Sequence, residues 1–319
     1  MGHRGAIAKW LANPRGARYW RNLALFALGA SLLGAIAGGI VLARWRALVL
    51  VHPPRSQPKL TPDDFCLSDW EEIGFPSADG LQLRGWFIPP DPRGDGATLV
   101  FVHGLGNNRG ELLDQAAMLH GYGYGALLFD LRNHGESEGE ITTLGYAEVE
   151  DLRGAVSYVL ARPEVNADRV GVVAHSMGSA TAIRGAVRIP EIRALIVQSA
   201  YSSVEDNIAE GARAFTGLPA FPFAPLVIWF GECETGLDIR MVRPIDDVSQ
   251  ISPRAVMFIH GVQDPAILVE NSRRLYEAAG EPKELYLVSG GGHGGFYHVE
   301  PVEFERRVVR FLETHLRGQ

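Results

Sequence analysis

The sequence predicts an α/β fold: a mostly parallel central sheet with helices on both faces, preceded by a single transmembrane helix. Three observations predict it. Short apolar, often β-branched runs recur at residues 97–103, 125–130, 169–175, 193–199, 255–260 and 284–289, most of them followed by a helical stretch. Strands buried on both faces read as such runs, and their alternation with helices calls for parallel pairing. Residues able to do chemistry (Ser176, Asp264, His293) stand just past three of these runs, where open α/β sheets bind their ligands. Finally, residues 22–43 carry no charge, and about 20 apolar residues suffice for a helix to cross a bilayer.

The elements follow in chain order. Residues 1–21 form a basic segment and 22–43 a signal-anchor helix. A cleaved signal peptide, with Ala35-Ile36-Ala37 as the cut, is disfavoured because the apolar run continues past that point. Residues 44–69 read as a linker, of which 52–69, rich in proline and polar groups, are expected to have no regular structure. The main domain spans 70–319. It opens with a hairpin, 72–77 and 81–88, turned by Ala78-Asp79-Gly80. Helices are expected up to about Gly121, over 143–161, after Ser176, over 267–279 and over 300–316. The rhythm breaks at 201–250, which reads as an insertion.

Charge separates the two parts of the chain. Residues 1–59 hold nine Lys/Arg and no Asp or Glu, whereas the remainder holds 21 Lys/Arg against all 37 acidic residues. An acidic body argues against a nucleic-acid partner, and a basic start beside an apolar run argues for a membrane. Five basic residues precede the apolar run (Arg4, Lys9, Arg15, Arg18, Arg21) and four follow it (Arg44, Arg46, Arg55, Lys59). That slight bias orients the N-terminus to the cytoplasm and the body outside it. The two cysteines, Cys66 and Cys233, have no metal-site spacing. They read as two free buried thiols, or as a pair in an oxidising compartment. No phosphate-binding glycine motif is present, so nucleotide binding is disfavoured. The chemistry read from Ser176, Asp264 and His293 implies no metal and no organic cofactor.

The candidate site centres on Ala174-His175-Ser176-Met177-Gly178, where a buried run enters an Ala-rich helix. This is the layout of a nucleophile elbow, whose tight turn admits only small residues two before and two after the serine. A serine hydroxyl needs a histidine to take its proton and a carboxylate to orient that histidine. Asp264, in His260-Gly261-Val262-Gln263-Asp264-Pro265, is the expected acid, with Asp206 as runner-up and helix capping as its plain alternative. His293, within Ser289-Gly290-Gly291-Gly292-His293-Gly294-Gly295, is the expected base in preference to His298. His103-Gly104-Leu105-Gly106 ends the strand expected beside the elbow, so the N–H groups of Leu105 and Met177 are the candidate oxyanion donors. His103 is read as orienting that loop, and His175 as a packing residue.

From about Trp70 to the end, these motifs together resemble the α/β-hydrolase fold superfamily. The likeness is carried by Ser77-Ala78-Asp79-Gly80 through Trp86, Val102 to Gly106, Asp130-Leu131-Arg132-Asn133-His134-Gly135-Glu136-Ser137, the elbow, His260 to Asp264, and Gly292-His293. It is nearest the branch of serine aminopeptidase-like and monoacylglycerol-lipase-like enzymes and membrane-anchored acyl hydrolases. Ala174 departs from the usual first elbow glycine, and Asn133 stands where glycine is more usual. The resemblance implies a cap at 201–250. There the apolar, proline-rich 214–230, with Phe215, Phe221, Phe223 and Trp229, would cover an acyl chain or lean on a bilayer, or simply pack on the sheet edge. The expected activity is hydrolysis of an acyl ester or thioester through an acyl-enzyme, with a small-molecule or lipid substrate. A peptidase or amidase, and a non-catalytic binding protein on the same fold, are the alternatives.

Overall fold

The computed structural model describes residues 14–217 and 219–318, without the side chains of residue 14 and residues 214–216. Residues 1–13 of the basic segment therefore lie outside the described residues. Eight strands form one sheet: β1 (Glu71–Pro76), β2 (Gln82–Ile88), β3 (Thr98–Val102), β4 (Gly125–Phe129), β5 (Val170–His175), β6 (Ile192–Gln198), β7 (Ala255–Gly261) and β8 (Lys283–Val288). Their order is β1-β2-β4-β3-β5-β6-β7-β8. The β1–β2 hairpin and the β2–β4 pairing are antiparallel, and all other pairings are parallel. β3 and β5 are neighbours, with Val102 opposite Ala174, so the chain leaves both strands side by side at His103 and Ser176.

The helices are α1 (Pro14–Val51), α2 (Leu113–His120), α3 (Glu148–Leu160), α4 (Met177–Arg188), α5 (Val204–Thr216), α6 (Ala220–Thr235), α7 (Pro244–Asp247), α8 (Glu270–Ala278), α9 (Phe296–Val299) and α10 (Pro301–Leu312). Strand side chains alternate between faces, and two apolar layers result. Val100, Val102, Val172, Val197 and Phe258 pack with α3 and α4 through Leu152, Ala180 and Ile183. Leu99, Phe101, Val173, Ile196 and Met257 pack on the other face with α2 and α10 through Leu113, Leu119, Phe304 and Phe311.

Three details differ from the sequence expectation. The helix expected from residue 143 begins at Glu148. Leu144 and Gly145 take φ of 54° and 97°, and the Glu148 carboxylate instead accepts the N–H groups of Thr143 (2.7 Å) and Gly145 (2.8 Å). Cys66 and Cys233 are free but exposed, so they are neither buried nor paired. The third concerns residues 44–69. Helix α1 runs on to Val51, and Ala43, Ala47 and Val51 are buried against the main domain. Thr142 N–H and Asn133 Nδ2 both donate to the Val51 carbonyl, at 2.9 and 3.1 Å. Arg55 then donates to the carbonyls of Ser137 and Gly139, and Ser56 to that of Gly106. Prolines remove backbone donors but leave carbonyls and side chains free to dock, and here they dock on the loops at the strand ends.

The earlier part of α1 is a different surface. Leu25, Phe26, Leu28, Leu32 and Leu33 are all more than half exposed. Residues Arg15–Val51 include a window of mean hydropathy 2.2 with none of it buried. One long apolar N-terminal helix therefore stands free of the main domain over most of the residues expected to span a membrane, up to about Val41.

Candidate active site

Ser176 sits between β5 and α4 with φ 54° and ψ −119°, a conformation that non-glycine residues rarely adopt. The turn is held because Ser176 N–H donates to the Gln198 carbonyl (2.8 Å) and Ser179 Oγ donates to the same oxygen (2.8 Å). A Cβ on Gly178 would lie 2.4 Å from the Val102 oxygen and 2.5 Å from the His103 oxygen. Only glycine lets α4 approach β3 that closely.

Asp264 and His293 reach the same point from the ends of β7 and β8. His293 Nε2 lies 3.0 Å from Ser176 Oγ, and His293 Nδ1 lies 2.8 Å from Asp264 Oδ2. The Asp264 side chain is fully buried, while that of His293 is about one-third exposed. Asp264 Oδ2 also accepts Ser199 Oγ–H (2.9 Å) and faces His260 Nε2 at 3.2 Å. Its Oδ1 accepts the N–H groups of Ala266 (2.8 Å) and Ile267 (2.9 Å). Burial by itself would raise the Asp264 pKa. The hydrogen bonds from His260, His293 and the Ile267 backbone outweigh it and hold the carboxyl well below the usual range. An ionised Asp264 fixes Nδ1 as the protonated nitrogen of His293 and leaves Nε2 as acceptor for the serine proton.

The loop after β3 lies against the serine, since a Cβ on Gly104 would come within 3.1 Å of Ser176 Cβ. Its backbone is tied down almost completely. Gly104 N–H donates to Glu111 Oε2 (2.6 Å), and Gly104 O faces His103 Nδ1 (2.7 Å). Gly106 N–H donates to His134 Nε2 (3.0 Å), and Gly106 O accepts from Ser56 (3.1 Å). Burial keeps His134 neutral, with its pKa pushed down to about 3, so Nε2 stays an acceptor. Among the described residues no acceptor pairs with the N–H of Leu105 or of Met177. Met177 opens α4, and the first N–H groups of a helix are natural anion donors.

The remaining expected residues lie elsewhere. Asp206 is in the first turn of α5, 3.5 Å from Arg274, and His298 pairs with Asp114 (3.0 Å) at the surface. Phe223 is buried in the core, whereas Phe221 and Trp229 are exposed, so the cap does not present them as one surface. The side chain of Phe215 lies outside the described residues. His103 contacts its own loop through the Gly104 carbonyl and accepts the Leu131 N–H at Nε2 (3.0 Å). His175 does more than pack, because it contacts both Glu111 and the His293 carbonyl. Glu111, His134, Ser199 and His260 are not singled out by the sequence: the contacts that tie Glu111 to His175, His134 to Gly106 and Ser199 to Asp264 join residues 28 or more apart, and that of His260 with Asp264 joins two strand-end residues with no periodic pattern.

The Alpha/beta hydrolase family model matches residues 99–307, about two-thirds of the chain. The chain belongs to the alpha/beta hydrolase family. Within that family, the uncharacterized protein YqkD of Bacillus subtilis is 28% identical over 299 residues, covering 91% of this chain and 97% of YqkD. The uncharacterized protein Rv2307c of Mycobacterium tuberculosis is 27% identical over 296 residues, with 91% and 96% covered. Among solved structures, the esterase Pf2001 of Pyrococcus furiosus superposes with a TM-score of 0.70 at 29% identity, covering 84% of this hydrolase-family chain and 98% of the esterase.

Proposed function

We propose that the chain is a membrane-anchored serine hydrolase that cleaves acyl esters with an apolar acyl part. The observation that carries this reading is the hydrogen-bonded line Ser176–His293–Asp264, drawn from the ends of three strands. His293 Nε2 takes the Ser176 proton as Oγ attacks the acyl carbonyl, and Asp264 stabilises the imidazolium that forms. The N–H groups of Leu105 and Met177 receive the developing oxyanion. His293 then delivers its proton to the leaving oxygen and activates the water that hydrolyses the acyl-enzyme. The esterase Pf2001 supports the ester as substrate class, and the apolar composition of the segment 214–230 supports an apolar acyl group. The free-standing apolar part of α1 supports a retained single-pass anchor, and the slight excess of Lys/Arg before it is the sole ground for placing the N-terminus in the cytoplasm and the hydrolase domain outside.

The test is fluorophosphonate labelling together with p-nitrophenyl esters of increasing acyl length. Labelling of the wild type but not of Ser176→Ala is expected, with turnover rising beyond the acetyl ester. Equal labelling of Ser176→Ala overturns the mechanism. A preference for the acetyl ester overturns the apolar-acyl part alone. Recovery of the full chain in the supernatant after membranes are pelleted overturns the anchor.

A further inference from the structure

A second carboxylate–imidazole pair lies beside the first. Glu111 precedes α2, and its side chain is only 15% exposed; that of His175 is 7% exposed. Glu111 Oε1 is 3.0 Å from His175 Nδ1, and Glu111 Oε2 accepts the Gly104 N–H at 2.6 Å. The other nitrogen, His175 Nε2, hydrogen-bonds the backbone carbonyl of His293. A carbonyl oxygen can only accept, so Nε2 carries a proton. The carboxylate on the opposite side draws a second proton to Nδ1.

The titratable groups that face this pair are His103 from the end of β3, Asp114 of α2, His134 in the loop after β4, Asp264 from the end of β7, and His293 from the end of β8, whose ring centre is 4.9 Å from that of His175. Burial opposes both charges. Their mutual attraction outweighs it, holding Glu111 down at about 2 and raising His175 above its ordinary value.

The arrangement answers a mechanical question. His293 stands among Gly290, Gly291, Gly292, Gly294 and Gly295, residues that lose the most conformational freedom when they are held. Asp264 grips the side chain of His293 but not its backbone. His175 grips the backbone carbonyl, and Gly294 lies close enough that a Cβ there would be 3.1 Å from His175 Nε2. Through Glu111 the same unit holds Gly104, the residue before the Leu105 N–H. One ion pair therefore connects the two loops that must stay in register on either side of Ser176.

We infer that Glu111 and the His175 imidazolium form a positioning pair that locks the oxyanion loop to the His293 loop. The inference rests on the reading of Ser176 and His293 as the reacting groups, and it deepens that reading.

The test uses the full chain in detergent micelles. Long-range 15N correlation of labelled histidine is expected to show His175 protonated on both nitrogens at pH 7, and to lose one of those protons in Glu111→Gln. A neutral His175 in the wild type at pH 7 overturns the inference, whatever the activity. On p-nitrophenyl butyrate, Glu111→Gln and His175→Gln are each expected to lower kcat by roughly 10–100-fold with little change in KM, because displacement of about 1 Å costs rate rather than binding. His175→Gln keeps a donor for the His293 carbonyl but removes a positive charge beside the His293 ring. The loss of that charge moves the acid limb of kcat/KM up by roughly one pH unit. Wild-type kcat and an unmoved acid limb in both variants also overturn the inference. A wild type that hydrolyses no ester and takes no probe refutes the Ser176 reading instead, and the nitrogen signals still decide the pair.

Discussion

Gly178→Ala is the sharpest test of how the fold builds the site. The added methyl would sit 2.4 Å from the Val102 carbonyl oxygen, 2.5 Å from that of His103 and 2.8 Å from the Val102 carbonyl carbon. Carbon contacts are favourable only at about 3.5–4.0 Å, so α4 and the end of β3 must separate by roughly 1 Å. Neither side yields easily. The elbow is pinned to Gln198 O by Ser176 N–H and Ser179 Oγ, and β3 lies between β4 and β5 in the middle of the sheet. Overpacking of this kind costs about 1–3 kcal/mol, a fall of roughly 2–6 °C in melting temperature for a domain of this size. The rate effect is larger, because the same shift moves the Met177 N–H away from the Leu105 N–H and Ser176 away from His293. A loss of about 100-fold in fluorophosphonate labelling rate is expected. The assay pairs thermal unfolding with labelling kinetics. Ala174→Gly, which deletes a buried methyl on the strand side of the elbow and so adds no clash, serves as control and is expected to keep its labelling rate. A Gly178→Ala protein that labels and melts like wild type refutes the steric account of the elbow.

Other outcomes follow from the same geometry. Asp264→Asn replaces an acceptor with an amide and forces the wrong His293 tautomer; steady-state kinetics should show kcat lower by about 10⁴-fold. Asp130 is fully buried and accepts the Arg109 N–H (2.7 Å), the Arg109 guanidinium (2.6 Å) and the Glu136 N–H (3.0 Å). Asp130→Ala removes the acceptor for these buried donors and leaves the Arg109 guanidinium to Glu136 and Glu72 alone, and is expected to cost about 1–3 kcal/mol in denaturant unfolding. The pH dependence of stability has a definite sign. Glu111 is depressed to about 2 from 4.5, so its contribution is complete above about pH 4.5 and is lost as pH falls toward 2. His175 is raised, so its contribution is complete below its unfolded value and is lost as pH rises through its folded one. The stability gap between wild type and Glu111→Gln should therefore be widest between about pH 4.5 and 6.5 and close toward pH 2, as read by unfolding at each pH. Truncation before Ala43 should release an active, soluble domain. Truncation through Val51 removes buried Ala43, Ala47 and Val51 together with the acceptor for Thr142 and Asn133, and should lower the melting temperature as well.

The sequence by itself determined the sheet, the elbow and the three side chains now proposed to react. Each of these is a local pattern: an apolar run, a small residue two before and glycine two after a serine, an acid or a histidine just past a strand. Local patterns are written in neighbouring residues, and the strand order brings their ends together whatever fills the space between. What only the tertiary structure decided depends on pairs distant in the chain. Nothing in one sequence links Glu111 to His175 or Ser56 to Gly106, because a hydrogen bond between remote segments leaves no periodicity. The role of Asn133 also waited for the fold. It takes φ 61°, which asparagine tolerates better than most residues, and its amide ties the loop after β4 to Val51 at the end of α1. The proline-rich stretch after that helix reads as a linker because prolines cannot extend a helix or a sheet. It is ordered because its carbonyls and side chains found partners on the loops that hold Ser176 in place.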